Sequence, residues 1–153
     1  MTTTTPLAAP SSAPVASMTS ADRRALRLRW TGRILSGVAV LFLTMDASLK
    51  VFGLIPKDDP NNQALGFPAH HLVTVGLIQI VCLAVYLVPR TALVGAVLWT
   101  GYLGGAIAIH LRVDSPLPTH TLFPLYVAAL LWGGLWLRDP RTRSLLAAPR
   151  AHD

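Results

Sequence analysis

Two ionisable side chains lie within an apolar stretch that is long enough to cross a membrane. Asp46 and Lys50 are four residues apart, so on a helix they share one face and can form an ion pair. An unpaired charge at this depth in hydrocarbon costs several kcal/mol. We therefore expect the pair to face the interior of a helix bundle or a wet cavity. It is either a binding or proton-handling site or a structural ion pair.

More polar side chains lie near Lys50, on the side of the membrane that the arginine distribution described below makes the outer side. They stand where the apolar stretches begin or end. His110 and Arg112 end one stretch, His70 and His71 begin another, and His120 precedes a third. Cationic side chains bind anionic oxygens, and histidine transfers protons near neutral pH. We predict an outer pocket that suits an anionic or quinone-like ligand. The predicted ligand-binding residues are Asp46, Lys50, His110 and Arg112.

The remaining functional residue types are sparse. The histidines lack the i,i+4 spacing of a helical metal site, and no nucleophile–base pair is visible, so we predict no metal ligands and no catalytic residues. Cys82 is the only cysteine, which excludes an intramolecular disulfide and a paired-cysteine redox centre.

Small residues mark the stretch that ends at His110. In water its glycines would each cost about 1 kcal/mol relative to alanine, but in lipid the backbone must bond internally, so the helix forms and small residues become packing positions. We predict that this helix is central in the bundle. The predicted packing glycines are Gly101, Gly104 and Gly105 here, and Gly133 and Gly134 in the last apolar stretch.

Four apolar stretches, residues 34–54, 69–88, 91–111 and 121–137, alternate with proline-containing loops and turns. They predict an all-α fold, an antiparallel bundle of four transmembrane helices within residues 23–143. Residues 1–22 are rich in Thr, Ser, Ala and Pro and predict a disordered tail, and residues 144–153 predict a flexible C-terminal tail.

Composition and charge support a membrane class. The chain is 52% hydrophobic and 13% charged, against about 25% charged in an average soluble domain. Its net charge of +6 forms no basic patch interleaved with aromatic residues, so we predict no nucleic-acid partner. Ten arginines lie before the first stretch, between the second and third, or after the fourth, whereas only Lys57 and Arg112 lie at the opposite loops. This asymmetry predicts a multi-pass plasma-membrane protein with both termini cytoplasmic.

Several short motifs stand in order along the chain: Asp46-Ala-Ser-Leu-Lys50, Gly66-Phe67-Pro68, Tyr86-Leu-Val-Pro89-Arg90-Thr91, Gly95-Ala96, Thr100-Gly101-Tyr102-Leu103-Gly104-Gly105-Ala106, His110-Leu-Arg112, Phe123-Pro124 and Trp132-Gly-Gly-Leu-Trp-Leu-Arg138-Asp139. Taken together and in this order, they are similar to the DoxX-like family of small membrane proteins. They span about residues 33–143, with alanine at position 47 where the family pattern has glycine. The resemblance implies a four-helix integral membrane protein, usually bacterial, and the wider family includes subunits associated with quinone-linked and thiol-related redox complexes. A quinone is therefore the cofactor to consider.

Three classes of function remain open. The first is an accessory, non-catalytic subunit of a membrane redox system, with the lipid bilayer and a membrane oxidoreductase as partners. The second is a homo-oligomeric transporter or channel that uses Asp46 and Lys50. The third, an enzyme in its own right, has the least support from the sequence.

Overall fold

The computed structural model describes residues 18–56, 59–66 and 68–146; most of these residues are helical, and none of them is in a strand. Four helical segments are long and apolar enough to cross a membrane, which confirms the predicted four-helix, all-α fold. The short α2 lies between the first and second predicted stretches, and a π-helical turn lies between the third and fourth and ends at the first residue of the fourth. The elements are α1 (Ser20–Val51), α2 (Pro60–Leu65), α3 (Ala69–Leu87), α4 (Ala92–Arg112), the π-helical turn (Leu117–Thr121), α5 (Phe123–Arg138) and α6 (Pro140–Leu146).

Capping explains where α1 begins. The Thr19 hydroxyl accepts a hydrogen bond from the Asp22 backbone at 3.2 Å, and the Asp22 carboxylate accepts one from the Thr19 backbone at 3.1 Å. This reciprocal pair satisfies amides that have no partner inside the helix. Helix α1 therefore starts inside the segment assigned to the N-terminal tail, and α6 likewise extends to Leu146. Residues 1–17 and 147–153 lie outside the described residues, so the tail predictions there stay predictions.

The four long helices form a ring. Helix α1 packs against α3 and α5, and α4 packs against the same two helices from the opposite corner. The most extensive contact joins α1 to α5. The expectation that α4 is central is therefore wrong: it occupies one corner of the ring. We call the end that holds Arg33, Arg90 and Arg138 the arginine end.

Close approach at the arginine end depends on small residues of α1 and α5. A Cβ atom added at Gly32 would lie 2.6 Å from the backbone nitrogen of Arg138, and one added at Gly134 would lie 2.7 Å from the backbone nitrogen of Ser36. Both distances are far shorter than ordinary carbon contacts of about 3.5–4.0 Å. Gly134 thus lies in a helix contact, as expected for a packing glycine.

The other four predicted packing glycines contact no neighbouring helix. A Cβ atom added at Gly101, Gly104, Gly105 or Gly133 would meet no atom within 4 Å in the described part of the chain. Helix α4 instead turns a different small-residue ridge inward, where a Cβ at Gly95 would lie 2.5 Å from the Tyr86 nitrogen. Because α4 carries small residues on adjacent faces, its glycine spacing alone leaves the inward face undetermined.

Tyr86 connects three helices in the core. Its side chain is fully buried, its hydroxyl lies 3.1 Å from the Ser36 hydroxyl of α1, and it donates to the Leu131 carbonyl of α5 at 2.9 Å. Buried polar groups are stabilising only when they are hydrogen-bonded, and this hydroxyl has two partners. The arrangement holds α1, α3 and α5 together at the level of Ser36.

Candidate functional site

The predicted ion pair forms, and a third residue joins it. Lys50 Nζ donates to the Asp46 carboxylate and, at 3.3 Å, to Gln79 Oε1. Gln79 Nε2 donates to Asp46 Oδ2 at 2.7 Å. Gln79 belongs to α3 and is only 1% exposed, whereas the Lys50 and Asp46 side chains are 16% and 31% exposed. The three residues form a closed polar network in an otherwise apolar part of the bundle.

A close approach between α1 and α3 positions this network. A Cβ atom added at Gly76 would lie 2.8 Å from Val51 Cγ2 and 3.0 Å from Lys50 Cβ. Glycine therefore lets the two helices approach here. Gln79 lies three residues further along α3, on the same face as Gly76, so its amide reaches across to the ion pair. Its position inside an apolar stretch predicts an interhelical hydrogen bond, but does not identify the partner.

The network faces a cavity of about 510 Å³ at the end of the bundle opposite the arginine end. Its walls come from all four long helices, α1, α3, α4 and α5, together with α2 and the π-helical turn. Leu43, Phe123 and Val127 make part of its apolar lining. The polar lining includes Asp46, Lys50, Gln79, Tyr102, His110 and His120. A cavity with apolar walls and a few convergent polar groups is the usual form of a small-molecule site.

The structure brings two of the histidines together. His110 and His120 both line the cavity, with ring centroids 5.8 Å apart, and His110 Nδ1 lies 3.1 Å from the Ser115 hydroxyl. His70 and His71 contact each other at a centroid distance of 4.1 Å and do not line the cavity. Among the described residues, no group of three or more metal-ligating side chains could hold a metal ion.

Arg112 does not line the cavity. Its guanidinium donates to the Leu65 carbonyl at 3.0 Å, at the C-terminal end of α2. A cation there satisfies a carbonyl that has no partner inside the helix. Asn62 and Leu65 of α2 line the cavity, so Arg112 holds one of its walls in place. Of the four predicted ligand-binding residues, the structure places Asp46, Lys50 and His110 together and Arg112 apart.

A second cavity, of about 360 Å³, adjoins the first between α3 and α4. Lys50, Tyr102 and His110 line both cavities. Gly101 and Gly105 form part of the wall of the second cavity, so these glycines leave space where side chains would otherwise fill the groove. The α3 side is apolar and includes Val75 and Ile78. Sequence reasoning missed this cavity because it assigned the same glycines to helix packing.

Comparison with known proteins gives one match. The profile of the DoxX-like family matches residues 34–134, which is well over half of the chain. The matched segment contains the polar network, the residues of α4 that line the two cavities, and the contact at Gly134. Neither a curated protein nor a solved structure matches the chain.

Proposed function

Because this chain belongs to the DoxX-like family, we propose that this membrane protein is a non-catalytic accessory subunit of a quinone- or thiol-linked redox system. In this proposal it lies in the plasma membrane with both termini in the cytoplasm, and its polar cavity opens outward. The cavity binds the ligand, and a membrane oxidoreductase partner carries out the redox reaction. The observation that carries the proposal is the Asp46–Lys50–Gln79 network at the cavity wall.

The network supplies a fixed hydrogen-bond donor. An ammonium group has three N–H donors, and Asp46 and Gln79 accept two of those on Lys50. The third can donate to an oxygen atom in the cavity. Because Asp46 and Gln79 also bond to each other, the position of Nζ is set before a ligand arrives, which lowers the cost of ordering it.

The two adjoining cavities favour a ligand with one polar end and one apolar end. The polar end would accept from Lys50, with Tyr102 and His110 at the same place, because these residues line both cavities. The apolar end would follow the groove between α3 and α4, beside Gly101 and Gly105. A quinone has this form: carbonyl oxygens on a ring and a hydrocarbon tail.

A binding titration tests the proposal. The full chain in detergent or nanodiscs is titrated with a short-tailed quinone, and quenching of tryptophan fluorescence is measured. Losing a hydrogen bond from a charged donor costs about 1.5–3 kcal/mol, so Lys50→Met should weaken binding roughly tenfold or more. Arg90→Met, which removes an exposed cation at the arginine end, should bind like the wild type. Equal binding by both variants, or no binding by the wild type, would refute the quinone site.

Purification from the native membrane tests the partner. Mass spectrometry of the complex in mild detergent should find a stoichiometric oxidoreductase subunit. A complex that contains only copies of this chain would contradict the accessory role.

A homo-oligomeric transporter is the second candidate, and one observation favours it. The α4 face with Gly101, Gly104 and Gly105 is uncovered in the single chain, and small residues are typical of helix contacts in membranes. In that case the ion pair would carry the transported charge. Wild-type proteoliposomes should then show a proton flux that Asp46→Asn abolishes. A flux that survives Asp46→Asn would exclude this role for the pair.

A further inference from the structure

A separate polar cavity, of about 430 Å³, lies at the arginine end, away from the Asp46–Lys50–Gln79 network. Three arginines, each with a guanidinium group, line it: Arg33 at the start of the apolar part of α1, Arg138 at the end of α5, and Arg141 of α6. Pro89 and Leu135 form part of its apolar wall. Three helices, α1, α5 and α6, therefore bring positive charge to one concave site.

These guanidinium groups have no anionic partner among the described residues. Asp139, the one carboxylate in the wall, accepts from the Arg141 backbone and the Thr142 hydroxyl, each at 3.0 Å. Both carboxylate oxygens of Asp139 therefore accept hydrogen bonds at the start of α6. The ion pair that the described residues do contain is the distant Asp46–Lys50 pair. The cavity holds three positive charges against one negative charge.

Aromatic rings orient two of the arginines. The Arg138 guanidinium carbon lies 5.0 Å from the centre of the Tyr86 ring, and that of Arg33 lies 5.4 Å from the Trp30 ring. Cation–π contacts of this kind leave the N–H groups at the edge of the guanidinium free to donate. Because Tyr86 is fully buried and hydrogen-bonded, it gives Arg138 a rigid support.

The height of the cavity relative to the bilayer identifies the ligand. Arg33 directly precedes the apolar stretch of α1, and Arg138 directly follows that of α5, so both lie where hydrocarbon meets headgroups. Trp30 is a typical interfacial residue. Guanidinium groups bind phosphate oxygens in bidentate fashion, and basic pockets between membrane helices bind anionic lipid headgroups. The apolar wall with Pro89 and Leu135 suits the first acyl carbons.

We propose that this cavity binds the phosphate headgroup of an anionic phospholipid, taken from the leaflet at the arginine end. The bound lipid bridges α1, α5 and α6 through its phosphate, and so fixes the helix ends that the cavity separates. The proposal is independent of the quinone cavity, because it concerns the opposite end of the bundle and a different ligand.

Lipid binding by the full-length protein tests the proposal. The protein in detergent is titrated with phosphatidylglycerol or phosphatidylcholine, and bound lipid is counted by native mass spectrometry. The affinity for phosphatidylglycerol should exceed that for phosphatidylcholine by about tenfold or more, and Arg138→Gln and Arg141→Gln should each reduce it by about tenfold. Arg141 makes no aromatic contact in the described structure, so its variant separates lipid binding from a folding defect.

Arg24→Gln is the matched control, because Arg24 is exposed on α1 and does not line the cavity. It should retain the wild-type preference for phosphatidylglycerol. Equal losses in the control and the cavity variants would show diffuse charge attraction and overturn the site. Displacement of the lipid by millimolar inorganic phosphate would overturn the lipid assignment in favour of a soluble anion.

Discussion

Two adjacent glycines of α5 provide a stringent test of the helix packing. An alanine at Gly134 would place its Cβ 2.7 Å from the Ser36 nitrogen and 3.0 Å from the Gly32 carbonyl oxygen, both backbone atoms of α1. An alanine at Gly133 would place its Cβ more than 4 Å from every atom of the other described helices. The two substitutions are chemically identical and one residue apart, so a difference in stability between them reports the α1–α5 contact.

The expected difference follows from the sizes of two opposing effects. Alanine is a better helix former than glycine by up to about 1 kcal/mol, which favours both variants. At Gly134 the helices must also separate by roughly 1 Å to restore ordinary contacts, and overpacking of this kind costs about 1–3 kcal/mol. The movement would also stretch the Ser36–Tyr86 hydrogen bond. Gly134→Ala should therefore be about 1–3 kcal/mol less stable than Gly133→Ala.

The chain contains its own probe for this measurement. Cys82 is the only cysteine and is 5% exposed, so a thiol-reactive fluorophore labels it when the bundle opens. With 153 residues, a difference of 1–3 kcal/mol corresponds to roughly 2–12 °C in melting temperature. Equal melting temperatures for the two variants, or a lower one for Gly133→Ala, would refute the packing argument.

Three further outcomes follow from the same contacts. Tyr86→Phe removes the hydroxyl that joins Ser36 to α5, and should lower the free energy of unfolding by about 1–3 kcal/mol when unfolding is followed by Cys82 labelling. An unchanged melting temperature would contradict this hydrogen-bonded connection. Arg112→Ala frees the Leu65 carbonyl and should speed amide hydrogen exchange in α2; unchanged exchange there would show that α2 is held by other contacts. Gly104→Leu places its Cβ more than 4 Å from the other described helices and should leave the melting temperature of the monomer within about 2 °C of the wild type; a large drop would mean that another surface covers α4.

Some of the site could be predicted from the sequence because its geometry is local. Asp46 and Lys50 share one helix, so their spacing of four fixes the contact before any packing is known. Gln79 belongs to another helix, and its partner depends on how α3 is rotated against α1. Apolar side chains surround membrane helices on most faces, so the sequence carries little information about that rotation. The close approach at Gly76 fixes it.

The same limitation explains the glycines and Arg112. Small residues in a membrane helix can admit a neighbouring helix or leave an open groove, and the spacing of Gly101 and Gly105 is the same in both cases. Arg112 has a long side chain that can turn toward the cavity or toward a loop carbonyl. The choice depends on α2, a helix of six residues inside a predicted loop. Its signals, Asp59 before Pro60 and Gly66 after Leu65, are those of a capped helix.

The length of α1 has a mechanical consequence for whatever meets this protein from the arginine end. Its 32 residues extend about 48 Å, whereas hydrocarbon accounts for about 30 Å. The remaining length, roughly 18 Å, is a continuous helical lever that begins at Ser20 with its side chains exposed. An object attached at that end stands off from the hydrocarbon boundary by up to this distance, and a torque on it passes directly to the Gly32–Gly134 crossing.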